Sequence, residues 1–125
     1  MSIAIWCILI AGLMPLAAVG VAKFDKTYDN NNPRDWLTKR DGRAKRAHAA
    51  HLNSFEAFPL FAAGVLVATM LNVKGATIDT LAGIFIVARI GYIWCYISDY
   101  ATPRSLIWMV GLAATIGLFV SAAIR

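Results

Sequence analysis

Charge is scarce along most of this 125-residue sequence. Asp, Glu, Lys and Arg make up 15% of it, against 59% hydrophobic residues, and the mean hydropathy is +0.62. Soluble domains carry about 25% charged residues, and a short chain has proportionally more surface to solvate. A small soluble fold is therefore excluded. Cysteine is scarce too. Cys7 and Cys95 both fall in apolar runs, so they are expected to be inert buried thiols rather than a disulfide framework. There is no CxxC, Gly-rich phosphate loop, nucleophile elbow or metal-ligand spacing. His48 and His51 are read as helix-surface or packing residues. The net charge of +5 has no soluble basic domain behind it, so no nucleic-acid partner is expected.

What fills the sequence is four long apolar blocks. The first, Ser2 to Ala22, holds no charge; about 20 such residues span the hydrocarbon of a bilayer. A cleaved signal would need a basic start and a shorter apolar core, so a retained helix is expected, kinked at Pro15. The other helices are expected at about 45–71, 78–100 and 103–124. Runs this long in lipid must be helices, because strands would leave backbone groups unpaired. Between the first two blocks lies a polar connector, Lys23 to Lys45, with a turn signal at Asn30-Asn31-Asn32-Pro33 and a short amphipathic stretch at Trp36-Leu37. Pro103 suits the first turn of the last helix. Gly83, Gly91, Gly111, Ala113, Ala114 and Gly117 suit close helix contacts. The expectation is one all-α domain, an integral membrane four-helix bundle in contact with lipid. Lys and Arg crowd the first connector, Arg46 and Arg104, against Lys74 and Arg125 elsewhere. The first and third connections should thus face the cytoplasm and both termini the other side.

Ionisable residues inside such spans are costly and usually face a partner or a cavity. On the second span Arg46, Asn53 and Glu56 fall within about 80° of one another at 100° per residue. His51 points away from that stripe. On the third, Arg89, Tyr92, Tyr96 and Tyr100 share a face, joined by Asp99. Glu56 and Arg89 each lie ten residues from the same side, about 15 Å deep, so an ion pair between them is expected. Asn53 matches Tyr92 in depth, and Tyr96 lies nearer Arg46. These residues outline a polar cleft open to the cytoplasm, with Arg104 and Ser105 at its mouth. Guanidinium groups bind carboxylates bidentately. A cation at a helix start favours a thiolate. Glutathione fits such a cleft; the residues alone specify only an anionic or zwitterionic ligand.

The run Ala50-His51-Leu52-Asn53-Ser54-Phe55-Glu56-Ala57-Phe58-Pro59, followed by Ala88-Arg89-Ile90-Gly91-Tyr92-Ile93-Trp94-Cys95-Tyr96, resembles the MAPEG family. These are the membrane-associated proteins in eicosanoid and glutathione metabolism. The likeness covers essentially the whole chain. The connector Asp29 to Arg34 resembles a bacterial-type branch, which implies the inner membrane. The resemblance implies a homotrimer with glutathione as co-substrate between adjacent subunits. It implies glutathione contacts at Asn53, Glu56, Tyr92 and Tyr96; the cleft read from the residues themselves adds Arg46 and Arg89 as candidate glutathione contacts. Arg104, followed by Ser105, would activate the thiol toward a hydrophobic small-molecule electrophile, in a transferase or peroxidase reaction. One departure stands out. Members that use glutathione carry an arginine four residues before the motif asparagine, where this chain has Ala49. Arg46 lies one turn earlier, about 4.5 Å away along the axis. The alternatives are a non-catalytic membrane protein binding a lipid or anionic metabolite, which Ala49 favours, and a structural membrane partner.

Overall fold

A computed structural model describes residues 2–125. The chain forms α1 (Ile3–Lys23), α2 (Pro33–Thr38), α3 (Gly42–Met70), α4 (Gly75–Ile97) and α5 (Ala101–Ile124), with no strand among the described residues. All but α2 are long and apolar enough to cross a membrane. The protein is an all-α integral membrane four-helix bundle. α1 packs on α3 and α5 on α4, while α3 and α4 meet in the middle; α1 also touches α4, and α3 touches α5.

Local chemistry sets the helix ends. Ser2 caps α1 by accepting from the Ile5 amide. α2 starts on Pro33, whose missing N–H costs nothing there. α3 and α4 both close on a left-handed residue, Asn72 (φ 59°) and Asp99 (φ 65°). Beyond each, an amide folds back to a carbonyl inside the helix, Val73 to Ala68 at 3.0 Å and Tyr100 to Cys95 at 2.8 Å. These side chains tolerate the left-handed region better than most. Hence α4 stops at Ile97 rather than at Tyr100. α1 continues through Pro15, and His51 Nδ1 donates to the Pro15 carbonyl at 2.7 Å, tying α3 to α1.

Because lipid is as apolar as leucine, close packing holds such helices together. Phe61 and Phe85 stack with ring centroids 3.9 Å apart. Gly64 lets α5 approach, and a Cβ there would meet Leu118 Cβ at 3.2 Å. At the connector end, Trp36 and Leu37 pack with Val19, Ala22, Ala47 and Ile97. This gives the amphipathic stretch a short docked helix. Arg40 donates to the Trp36 carbonyl and lies 4.3 Å over its ring. Nearby, the Thr27 amide and hydroxyl hold the exposed Asp25 carboxyl below its usual range.

Another polar tie crosses the bundle. The Ala4 amide donates to Asp79 Oδ1 at 2.8 Å. The first amides of a helix have no partner within it, and a carboxylate there also suits the helix dipole. Asp79→Ala is expected to cost about 1–2 kcal/mol, in the range of a lost cap. Thermal unfolding in detergent reads this directly; Asp79→Asn, which keeps the acceptor, should lose less.

Candidate functional site

α3, α4 and α5 converge on two adjoining hollows. One, of about 270 Å³, is lined by Asn53, Tyr92, Tyr96, Arg104, Ser105 and Trp108. The other, of about 180 Å³, lies against Asn53, Glu56, Leu60, Phe85, Arg89, Trp108 and Thr115, among others. Asn53 and Trp108 border both, so the two read as one cleft. Its first part is rimmed by polar groups and its second by mostly apolar walls.

The cations in the cleft are held by rings rather than by acids. The Arg89 guanidinium carbon sits 4.2 Å from the Tyr92 ring centroid, and that of Arg104 sits 4.4 Å from Tyr96. Tyr92 and Tyr96 meet edge to face at 5.7 Å. The order along the wall is therefore cation, ring, ring, cation. The face of an aromatic ring attracts a cation without using up its N–H groups, so those donors remain for an anion. Arg89 is only 3% exposed. Its Nη2 donates to Ser54 Oγ at 3.2 Å, and the Ser54 hydroxyl donates onward to the Ala50 carbonyl at 2.8 Å. Asn53 Oδ1 is buried and accepts nothing. Such an acceptor costs about 1–3 kcal/mol unless something donates to it.

The expected Glu56–Arg89 ion pair does not form. Lys39–Asp35, at 3.0 Å on the surface, is the ion pair found among the described residues. Arg89 turns to Ser54, which lies about 160° round α3 from Glu56; Glu56 stays exposed, although both residues border the smaller hollow. Arg46 is also elsewhere. Its Nε donates to the Ile97 carbonyl at 3.2 Å, closing one of the free acceptors at the end of α4, and it borders neither hollow. Ala49 borders neither as well. Ser105 is at the mouth, but its hydroxyl donates back to Ala101 at 3.2 Å. Tyr100 falls outside α4 and packs on Trp94 instead. Asn53, Tyr92, Tyr96, Arg104 and Ser105 do come together, with Glu56 and Arg89 adjoining.

His48 and His51 stack at 6.0 Å away from both hollows. Cys7 and Cys95 are buried and free. No cluster of three His, Cys, Asp or Glu could hold a metal among the described residues. Three polar or aromatic residues at the site went unrecognised in the sequence: Trp108 and Thr115, which line it, and Ser54, which accepts from Arg89. Trp108 carried a signal, since it follows Arg104 by four and so shares its face. Ser54 and Thr115 carried none, because small hydroxyl residues are common in such helices.

The model of the MAPEG family matches residues 3–124 of the chain. No curated protein matches it.

Proposed function

The chain belongs to the MAPEG family of membrane proteins, and from that premise we propose that it is a glutathione-dependent transferase or peroxidase acting on apolar electrophiles. The observation that carries this reading is the wall Arg89–Tyr92–Tyr96–Arg104 facing an unsatisfied Asn53 oxygen. Two cations without acid partners suit the negative groups of glutathione, Arg89 a carboxylate and Arg104 the thiolate, and Asn53 Oδ1 suits one of its N–H groups. Arg104, on the first turn of α5, would stabilise the thiolate. Ser105 would have to turn from Ala101 to donate to the sulfur.

In the transferase reaction the thiol gives its proton to solvent and the sulfur forms a bond to an electrophilic carbon. The displaced electron pair leaves on the departing group, or takes up a proton within the adduct. In the peroxidase reaction two glutathiones supply two electrons. The O–O bond breaks to alcohol and water, and glutathione disulfide forms. The apolar hollow beside Leu60, Phe85 and Trp108 would admit the electrophile from the lipid. Glu56 is exposed well inside a spanning helix, where a bare carboxylate is costly. That cost supports the homotrimer that the family resemblance implies, in which a second copy would cover Glu56 and leave its carboxylate on the glutathione ammonium. We place the protein in a bacterial inner membrane with the first and third connections cytoplasmic.

A second reading has support of its own. Ala49 replaces the family arginine, and Arg46 is occupied at Ile97. Both favour a protein that holds a lipid or anionic metabolite without turnover.

Calorimetry on the detergent-solubilised protein tests the first, and turnover assays on a protein that binds separate it from the second. Saturable glutathione binding is expected, weakened about tenfold in Glu56→Ala, matching the loss of one charge-assisted hydrogen bond. No binding at millimolar glutathione would end the transferase reading and leave the second.

A further inference from the structure

A trough on another face of the bundle shares no residue with the cleft. It lies between α1 and α4, at the end where the connector leaves α1, and has a volume of about 360 Å³. Ala17 and Ala18 on α1 leave the space, and Ile93 on α4 faces it. It extends from Met14 to Val21 along one helix and from Ile90 to Ile97 along the other, about 10 Å at 1.5 Å per residue. Arg43 borders its end, and also borders an adjoining hollow beside Gly20 and Phe24. Arg43 is exposed and makes no ion pair among the described residues. Trp94, 61% exposed, lines the trough, and Phe24, 96% exposed, stands beside Arg43. Tryptophan side chains such as Trp94 gather at the level of lipid headgroups.

We infer that this trough binds one anionic phospholipid, with an acyl chain along Ala17, Ala18 and Ile93 and the phosphate on Arg43. The occupant has to be apolar for about two turns of helix and negative at one end. In a chain that spans a bilayer, an anionic lipid meets both demands in place. A free phosphate would leave the apolar trough empty, and a zwitterionic lipid would bring a second cation toward Arg43. Basic residues near an anionic leaflet each contribute about 1 kcal/mol. That corresponds to a preference of about fivefold. The site does not depend on glutathione binding or turnover.

Native mass spectrometry of the whole chain tests this, with phosphatidylglycerol and phosphatidylcholine of matched acyl chains as the probes. The wild-type protein should retain phosphatidylglycerol about fivefold better. Arg43→Gln should bring that ratio close to one, and Arg43→Lys should keep it, since a charge is what the phosphate needs. Ala17→Leu, which fills the trough, should lower retention of both lipids. Lys74→Gln, at the other end of the bundle, should change nothing. Equal retention by the wild-type protein, or a preference that survives Arg43→Gln, overturns the proposal. So does an Ala17→Leu variant that keeps its lipid but loses its oligomer, for the trough would then be a contact between copies.

Discussion

Replacing Arg104 with alanine is expected to lower glutathione turnover by about 10²–10³-fold, the scale of losing one preorganised group that stabilises developing or standing negative charge. The side chain stands at the mouth of the cleft, on the first turn of α5, where the helix end adds its own positive field. Its cation rests on the Tyr96 ring, and no acid pairs with it among the described residues. A bound thiolate would be its natural counter-charge. Removing the cation should also raise the apparent pKa of the bound thiol, so the rise of kcat with pH should move to higher pH. The fold should tolerate the change, because the lost contact is a single cation–ring pair worth about 0.5–2 kcal/mol. Ser105→Ala should cost far less, since that hydroxyl already donates to Ala101. Steady-state kinetics across pH checks both variants. A loss below about fivefold, with an unshifted pH profile, would take Arg104 out of the chemistry; an electrostatic role of the usual size predicts far more.

Arg89→Met is expected to make the ligand-free protein more stable while weakening glutathione binding by at least tenfold. The two effects share one cause. Arg89 is a buried cation in a membrane helix, with a serine hydroxyl and an aromatic face in place of a carboxylate. Taking a charge out of water costs several kcal/mol, and apolar residues of similar volume that replace buried ionic groups often gain about 1–4 kcal/mol. Methionine fills the same irregular space with no charge to solvate. A ligand carboxylate would be the missing partner, so its affinity should fall with the cation. Thermal unfolding in detergent and calorimetry on one preparation measure both quantities. If Arg89→Met instead destabilises the protein by about 3–5 kcal/mol, the loss expected on breaking a buried pair, the cation has a counter-charge. Glu56 of a second copy would then be the first place to look, and Arg89 would belong to assembly rather than to the ligand.

The spanning segments could be read because each is a local property. A run such as Ser2 to Ala22 has no charge to place, and lipid leaves the helix as its only backbone solution. Trp36 and Leu37 announced the docked piece of the connector by their apolarity alone. The shared faces of Asn53 with Glu56 and of Tyr92 with Tyr96 were also legible, since helical periodicity needs no knowledge of neighbours. So was the gathering of Arg104 and Ser105 at the mouth, because a short turn returns the chain to the end it has just left. The end of α4 was not. Asp99 had to enter the left-handed region to stop the helix at Ile97, and polar turn residues beside Pro103 gave no sign of where that would happen.

Counting residues along a helix gives a depth, and depth put Glu56 level with Arg89. It says nothing about rotation or about how far a long side chain will swing. Packing decided those: Arg89 reached Ser54, Arg46 took the Ile97 carbonyl, and Asp79 met the Ala4 amide from 75 positions away. Composition and period thus established the spans, their faces and the polar residues a membrane would not leave idle. Which of those residues met, and which cations were left without an acid, came only with the tertiary structure. Partner choice depends on helix rotation and side-chain reach, and both are set by contacts between segments far apart in the chain.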